Sequence, residues 1–254
     1  MVAITSLGND VFVLRWSRSQ VEVYDARTFT LQRHIRIRGH GSNLSYGLAA
    51  SIHYDCLYAS DCSNDRIHRV DLSGSSAVKQ WSVANGPAGL SVNKEHNVVV
   101  ACRGAHKLQE YTTHGTLVRE ISLQPVGASS AWHAVQLSTG DYVVSQDPGA
   151  VSVVGVDGQV VRSSDQSQAS NVGPMNRPRS LAVTRNDNIL VADRSNNRIL
   201  SLDSSLSCAH ELALPVDNAI QEPCGLFLDE LRKRLYVGER GGECRVLVFD
   251  NMQL

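Results

Sequence analysis

The chain has 254 residues, 42% of them hydrophobic and 19% charged, which excludes a disordered or fibrous protein and leaves ample material for a core. A net charge of −1 excludes a globally basic surface that would gather nucleic acid. No apolar run approaches the roughly 18 residues of a membrane span, and the opening MVAITSLGND has neither the cationic nor the apolar region of a secretion signal, so a cytoplasmic location without membrane contact is expected.

Six segments repeat one pattern in chain order: VFVLRWSRSQVEVYD (11–25), LYASDCSNDRIHRVD (57–71), VVVACRGAHKLQEYT (98–112), VVSQDPGAVSVVGVD (143–157), ILVADRSNNRILSLD (189–203) and LYVGERGGECRVLVFD (235–250). Each is a β-rich run, a short polar loop and a second β-rich run. The residues ending the first runs are Arg15, Asp61, Cys102, Asp147, Asp193 and Glu239, spaced by 46, 41, 45, 46 and 46 positions. A further run precedes each pair, starting near Val2 and at Gly47, Gly89, His133, Ser180 and Gly225, and in most copies another follows, such as LQRHIRI (31–37) and LVREISL (117–123). Alternation and β-branched content make all of these strands. His114-Gly115 and Asp157-Gly158 read as hairpin turns.

Four strands in each of six repeats at this period predict an all-β, six-bladed β-propeller forming a single domain over 1–254. The blades are placed at about 1–38, 44–83, 86–123, 130–165, 176–214 and 221–254. The last blade ends soon after its third strand, which predicts an incomplete sheet and a chain cut from a longer protein.

The fifth copy, PRSLAVTRNDNILVADRSNNRILSLD, resembles the NHL repeat, with its pattern P-x-G-ϕ-A-ϕ-D, then V-A-D, then N-N-R. The second and sixth copies follow that pattern loosely, and the others have drifted from it. LYASDCSNDRIHRVD also looks like the YWTD repeat, although no copy contains that tetrapeptide. The NHL resemblance implies a ring that recognises protein or RNA, as in tripartite-motif ubiquitin ligases; related rings serve as an amidating lyase or calcium-dependent lactonases. Function must therefore be argued from the site.

The loops entering the first strands and those joining second to third strands share one rim, called the top. There the marker acid and a later cation recur as Asp61/Arg66, Asp193/Arg198 and Glu239/Arg245. These are expected as structural ion pairs closing the loops. Arg15 and Lys107 lack such a partner at that spacing and are expected to stand free on the rim. The candidate binding residues are Arg15, Trp16, Arg18, Tyr46, Arg103, Trp132, His133, Arg179, Arg194 and Arg240, since arginine and aromatic side chains suit protein hot spots and also single-stranded RNA.

A hydrolytic metal needs carboxylates or histidines converging on the channel, and among the residues that open the first strands only His133 qualifies. A Cys102/His106/His133/Cys224 metal group is the one alternative the spacing allows. The six cysteines show no C-x-x-C pair and read as reduced thiols. The expectation is a non-catalytic module without metal, cofactor or small-molecule substrate, binding a protein partner on the top rim. Single-stranded RNA on the same rim is the alternative, and a metal-dependent lactonase or a lyase ranks third.

Overall fold

The computed structural model describes residues 2–16, 18, 20–37, 39, 47–73, 78–123, 130–164, 172–215, 220–241 and 244–252. Among them, strands form six separate antiparallel sheets in strict chain order. Blade one holds β1 (Val2–Leu7), β2 (Asp10–Arg15), β3 (Gln20–Asp25) and β4 (Leu31–Arg36). Blade two holds β5 (Leu48–Ser51), β6 (Cys56–Asp61), β7 (Arg66–Asp71) and β8 (Val78–Ser82), and blade three β9 (Pro87–Val92), β10 (Val98–Cys102), β11 (Lys107–Tyr111) and β12 (Leu117–Ser122). Blade four holds β13 (Ala131–Gln136), β14 (Tyr142–Gln146), β15 (Ala150–Val154) and β16 (Val160–Ser163), and blade five β17 (Pro178–Val183), β18 (Ile189–Asp193), β19 (Arg198–Leu202) and β20 (Ala209–Glu211). Blade six has three described strands, β21 (Pro223–Asp229), β22 (Arg234–Glu239) and β23 (Val246–Phe249). The protein is a six-bladed β-propeller.

The second strands explain the stacking. VVVAC in β10 and ILVAD in β18 are buried at every position, because both faces of the sheet are covered by neighbouring blades. A strand buried on both faces loses its alternation and reads as a continuous apolar run. The fourth strands, such as LVREIS in β12, face water along most of their length. The core is accordingly divided into six apolar clusters, one at each blade interface. Phe12 and Leu14 of blade one meet Leu57 and Val70 of blade two, and Tyr236 of blade six meets Val2 and Val11 of blade one.

That last cluster closes the ring. The Val2 amide donates to Cys224 Sγ at 3.2 Å, and Arg232 donates to the Gly8 carbonyl at 2.7 Å. Arg15 and Arg234 cross the same seam to the carbonyls of Cys244 and Ala26. The first strands lie side by side around a central channel and approach so closely that a side chain is excluded at some positions. A Cβ at Gly225 would stand 2.2 Å from the Val2 carbonyl oxygen, and one at Gly89 would stand 2.5 Å from the His133 ring. Among the described residues no helix is long and apolar enough to cross a membrane.

Candidate functional site

In four blades the first strand carries one residue more than its partner needs. Pairing jumps between Pro87 and Leu90, between Ala131 and His133, between Pro178 and Leu181, and between Pro223 and Gly225. Such bulges break the alternation of the strand and re-aim the side chains at the break. They fall at the top end of the channel. Ala88, Trp132 and Cys224, from three different blades, come together there in one buried cluster. Trp132, Arg179 and Cys224 border a channel cavity of about 260 Å³.

Trp132 organises this mouth. Its Nε1 donates to Asp147 Oδ2 at 2.6 Å. The Arg179 guanidinium lies 3.6 Å from the indole centroid and the Arg103 guanidinium 4.5 Å from it. A cation over an indole contributes about 0.5–2 kcal/mol, the more so out of water. Arg179 Nη1 also donates to Asp147 Oδ1 at 2.8 Å, so one carboxylate orients both indole and guanidinium. Arg103 and Arg194 each directly follow the marker residue of their blade, in the short 3-10 turns Arg103–Ala105 and Arg194–Asn196. Arg194 reaches Glu222 of the next blade at 2.8 Å. Burial pushes the Arg179 guanidinium below its usual range, Asp147 pulls it back, and Arg194 and Arg103 add to the downward push. Arg179 therefore feels two further guanidinium groups at the mouth, where Asp147 and Glu222 supply carboxylates.

His133 sits one residue below Trp132 and borders the same cavity. The Leu181 amide donates to its Nδ1 at 3.0 Å, so Nδ1 carries no proton; Nε2 then donates to the Leu90 carbonyl at 3.0 Å. The ring thus ties blade four to both neighbours as a neutral imidazole. Burial lowers its pKa, against the two backbone hydrogen bonds. Below it the channel wall is largely apolar, including Leu90, Val135, Leu181 and Leu226. The Cys102/His106/His133/Cys224 grouping does not form: among the described residues no three His, Cys, Asp or Glu side chains gather as a metal site would require. Cys102 is buried and its thiol is pushed up to about 12.

The other expected residues scatter. Trp16 is exposed beneath Arg240, whose guanidinium lies 5.6 Å from its ring, and Arg18 is exposed. Tyr46 lies outside the described residues. Arg15 is not a free rim cation: it pairs with Glu22 at 2.9 Å. Lys107 likewise pairs with Glu120 at 3.2 Å on the neighbouring strand. Both partners lie on the neighbouring strand of the sheet rather than along the loop.

Of the three expected loop pairs, Asp193–Arg198 forms at 2.7 Å and Glu239–Arg245 at 2.9 Å. Asp61 and Arg66 are direct partners across β6 and β7, and the Asp61 carboxylate accepts from Asn64 Nδ2 at 2.8 Å and lies 3.3 Å from His68 Nε2. All three acids are fully buried. Ala88, Asp147, Glu222 and Cys224 are members of the mouth outside the candidate binding residues, Cys224 being a candidate only for the metal group. For Ala88 and Cys224 a signal was present at the middle position of PAG and PCG, the place Arg179 takes in PRS, where the bulges fall.

An NHL-repeat family model matches residues 175–200, which span the entry, first two strands and tight loop of blade five. Blade five thus carries an NHL repeat within the six-bladed propeller. No curated protein matches it. Among solved structures, this propeller is similar to a protein of unknown function from Bacteroides caccae, with TM-score 0.74 and 14% identity over 94% of this chain and 89% of that one. It is similar to virginiamycin B lyase from Staphylococcus aureus, with TM-score 0.68 and 12% identity over 100% and 84% of the two chains. It is also similar to hydrazine synthase of Kuenenia stuttgartiensis, with TM-score 0.68 and 18% identity over 98% and 75%. At these identities the NHL propeller shares a fold with them, and the fold alone.

Proposed function

We propose that this NHL propeller is a recognition module that binds a protein partner on its top face and carries out no chemistry itself. The observation that carries this reading is the channel mouth, where Trp132 is held between Asp147, Arg179 and Arg103 on a rigid rim. Preformed aromatic and arginine groups in a partly enclosed pocket are what protein hot spots are made of, and their fixed placement lowers the ordering cost of association. Trp16 with Arg240 extends the face outward.

Two further observations support the reading over its rivals. Rim cations are largely engaged by carboxylates, as in Arg15–Glu22, Arg179–Asp147 and Arg194–Glu222, so a phosphate backbone would have to displace acids and sit among them. Against a lyase or hydrolase, the imidazole that borders the channel spends both ring nitrogens on the backbone, so His133 is not available as a general base. A cytoplasmic setting agrees with six cysteines of which none is paired.

The test is selection of peptides from a displayed random library on the purified chain, with binding of oligouridylate measured in parallel at rising salt. Peptides that bind wild type and fail on W132A support the reading. Binding of oligouridylate that weakens steeply with salt, with a log–log slope of about −0.7 per phosphate contacted, together with no selected peptide, would replace it with RNA recognition.

A further inference from the structure

We propose that the channel mouth seats one carboxylate of an acidic peptide segment, held by Arg103, Arg179 and Arg194, with an apolar neighbour of that residue entering the channel. This deepens the protein-binding reading and rests on it.

Three features point to an anion. The first is charge. Arg103 and Arg179 both lie over the Trp132 ring, and Arg179 feels the positive charge of Arg194 and of Arg103. Asp147 and Glu222 are the carboxylates set among them, and three positive groups against two negative ones leave a surplus of one positive charge. The second is unmet hydrogen bonding. The side chains of Arg179 and Arg194 are only 6% and 8% exposed, and the Nε–H of each is buried without an acceptor. A buried donor without an acceptor loses the hydration it had in water and gains nothing in return, and arginine forks match carboxylates in two-point geometry. The third is room. Arg179 and Trp132 border the channel cavity of about 260 Å³, whose walls below are apolar, so space lies beside Arg179, one of the two residues with an unmet donor.

The same features choose among anions. A surplus of one charge suits a single carboxylate. A chain of phosphates would run on past the mouth toward Glu222 and be repelled. Leu90, Leu181 and Leu226 in the wall below offer nothing to a nucleotide's polar edges but bury an aliphatic side chain. The occupant is therefore an acidic residue beside an apolar one in a protein.

The experiment is the same displayed heptapeptide library selected on wild type, R103Q, R179M and, as a control on the outer strand of blade one, R33Q. The selected peptides are then synthesised and titrated, each with an asparagine or glutamine counterpart at its acidic position and with oligouridylate as competitor. Expected are peptides sharing one Asp or Glu next to an apolar residue, binding at least tenfold weaker when the acid becomes an amide. R33Q keeps that preference, whereas R103Q and R179M lose it. Arg103 is only half-buried and touches the site through Trp132, so R103Q carries the test if R179M does not fold. Peptides selected without a common acidic position, or amide counterparts that bind equally well, overturn the carboxylate seat while protein binding stands. If no peptide is selected, or oligouridylate displaces those that are, the underlying reading fails and the seat with it.

Discussion

Blades four and five are neighbours that use the acid of the same loop region in opposite ways. In blade five the marker acid Asp193 is spent inside its own loop. It accepts from the Asn176 amide at 2.7 Å, from Asn196 at 2.8 Å and from Arg198 at 2.7 Å, and it is fully buried. In blade four, strand pairing sets Gln146 at the place of Asp193 and Ala150 at the place of Arg198, and Gln146 accepts from Ser152 within the sheet. Asp147 lies one residue further on, at the place of Arg194. It turns to Trp132 and to Arg179 of the next blade. The blade that keeps the repeat pattern uses its acid for stability, and the blade that has lost the pattern carries an acid one position later that builds a site. Degeneration of a repeat is here where function is to be sought.

The sharpest way to break that comparison is to remove the two acids separately. Asp193→Ala leaves Arg198 and two further hydrogen-bond donors without their shared acceptor, and should cost about 3–5 kcal/mol in denaturant unfolding. Asp147→Asn keeps an acceptor for Trp132 and lies in a more open setting, so it should cost about 1 kcal/mol while weakening selected peptides strongly. Equal losses of stability would show that the two blades do not differ in this way.

Trp132→Ala comes next. It removes an indole packed on Ala88 and Cys224 and should lower stability by about 3 kcal/mol, with loss of peptide binding. Trp16→Ala, on the exposed part of the face, should change stability by no more than about 0.5 kcal/mol. A binding loss confined to Trp132 would narrow the site to the mouth.

The neutral His133 adds a pH dependence. Its folded pKa lies below its unfolded value of 6.5, so the unfolded chain binds the proton first as pH falls. The stability contributed by the neutral ring is fully present above pH 6.5 and is lost as pH drops from there toward the lower folded pKa. Melting temperatures at pH 7.5 and 5 should differ less in H133N, which cannot titrate, than in wild type. The smallest effect belongs to Lys107→Ala. Its pair with Glu120 is partly exposed, and the change should stay within about 0.5 kcal/mol.

Much of the architecture was legible because a blade is a local object. Alternation, the steady interval between marker residues and the turns at His114-Gly115 and Asp157-Gly158 are all written within a few tens of residues. The starts of the first strands were read late, at Gly89, His133, Ser180 and Gly225, whereas they begin at Pro87, Ala131, Pro178 and Pro223. The bulges explain this: an extra residue interrupts the two-residue period, and a period-based reading begins only after the interruption. Arg103, Trp132, Arg179 and Arg194 were each recognisable as candidates by type and loop position. That Arg15 and Lys107 were already paired was not, since Glu22 and Glu120 meet them through strand register rather than along the loop.

By itself, then, the amino-acid order determined the repeating unit, the number of sheets and which strands have both faces covered, because these depend on patterns within one blade. Only the closed ring decided that residues 88, 132, 179 and 224 share one mouth, and that Asp147 would serve the neighbouring blade. Positions more than 40 residues apart are brought within a few ångströms there by first strands packed too tightly for side chains at Gly89 and Gly225, and no pattern confined to one repeat encodes how its top end faces the others.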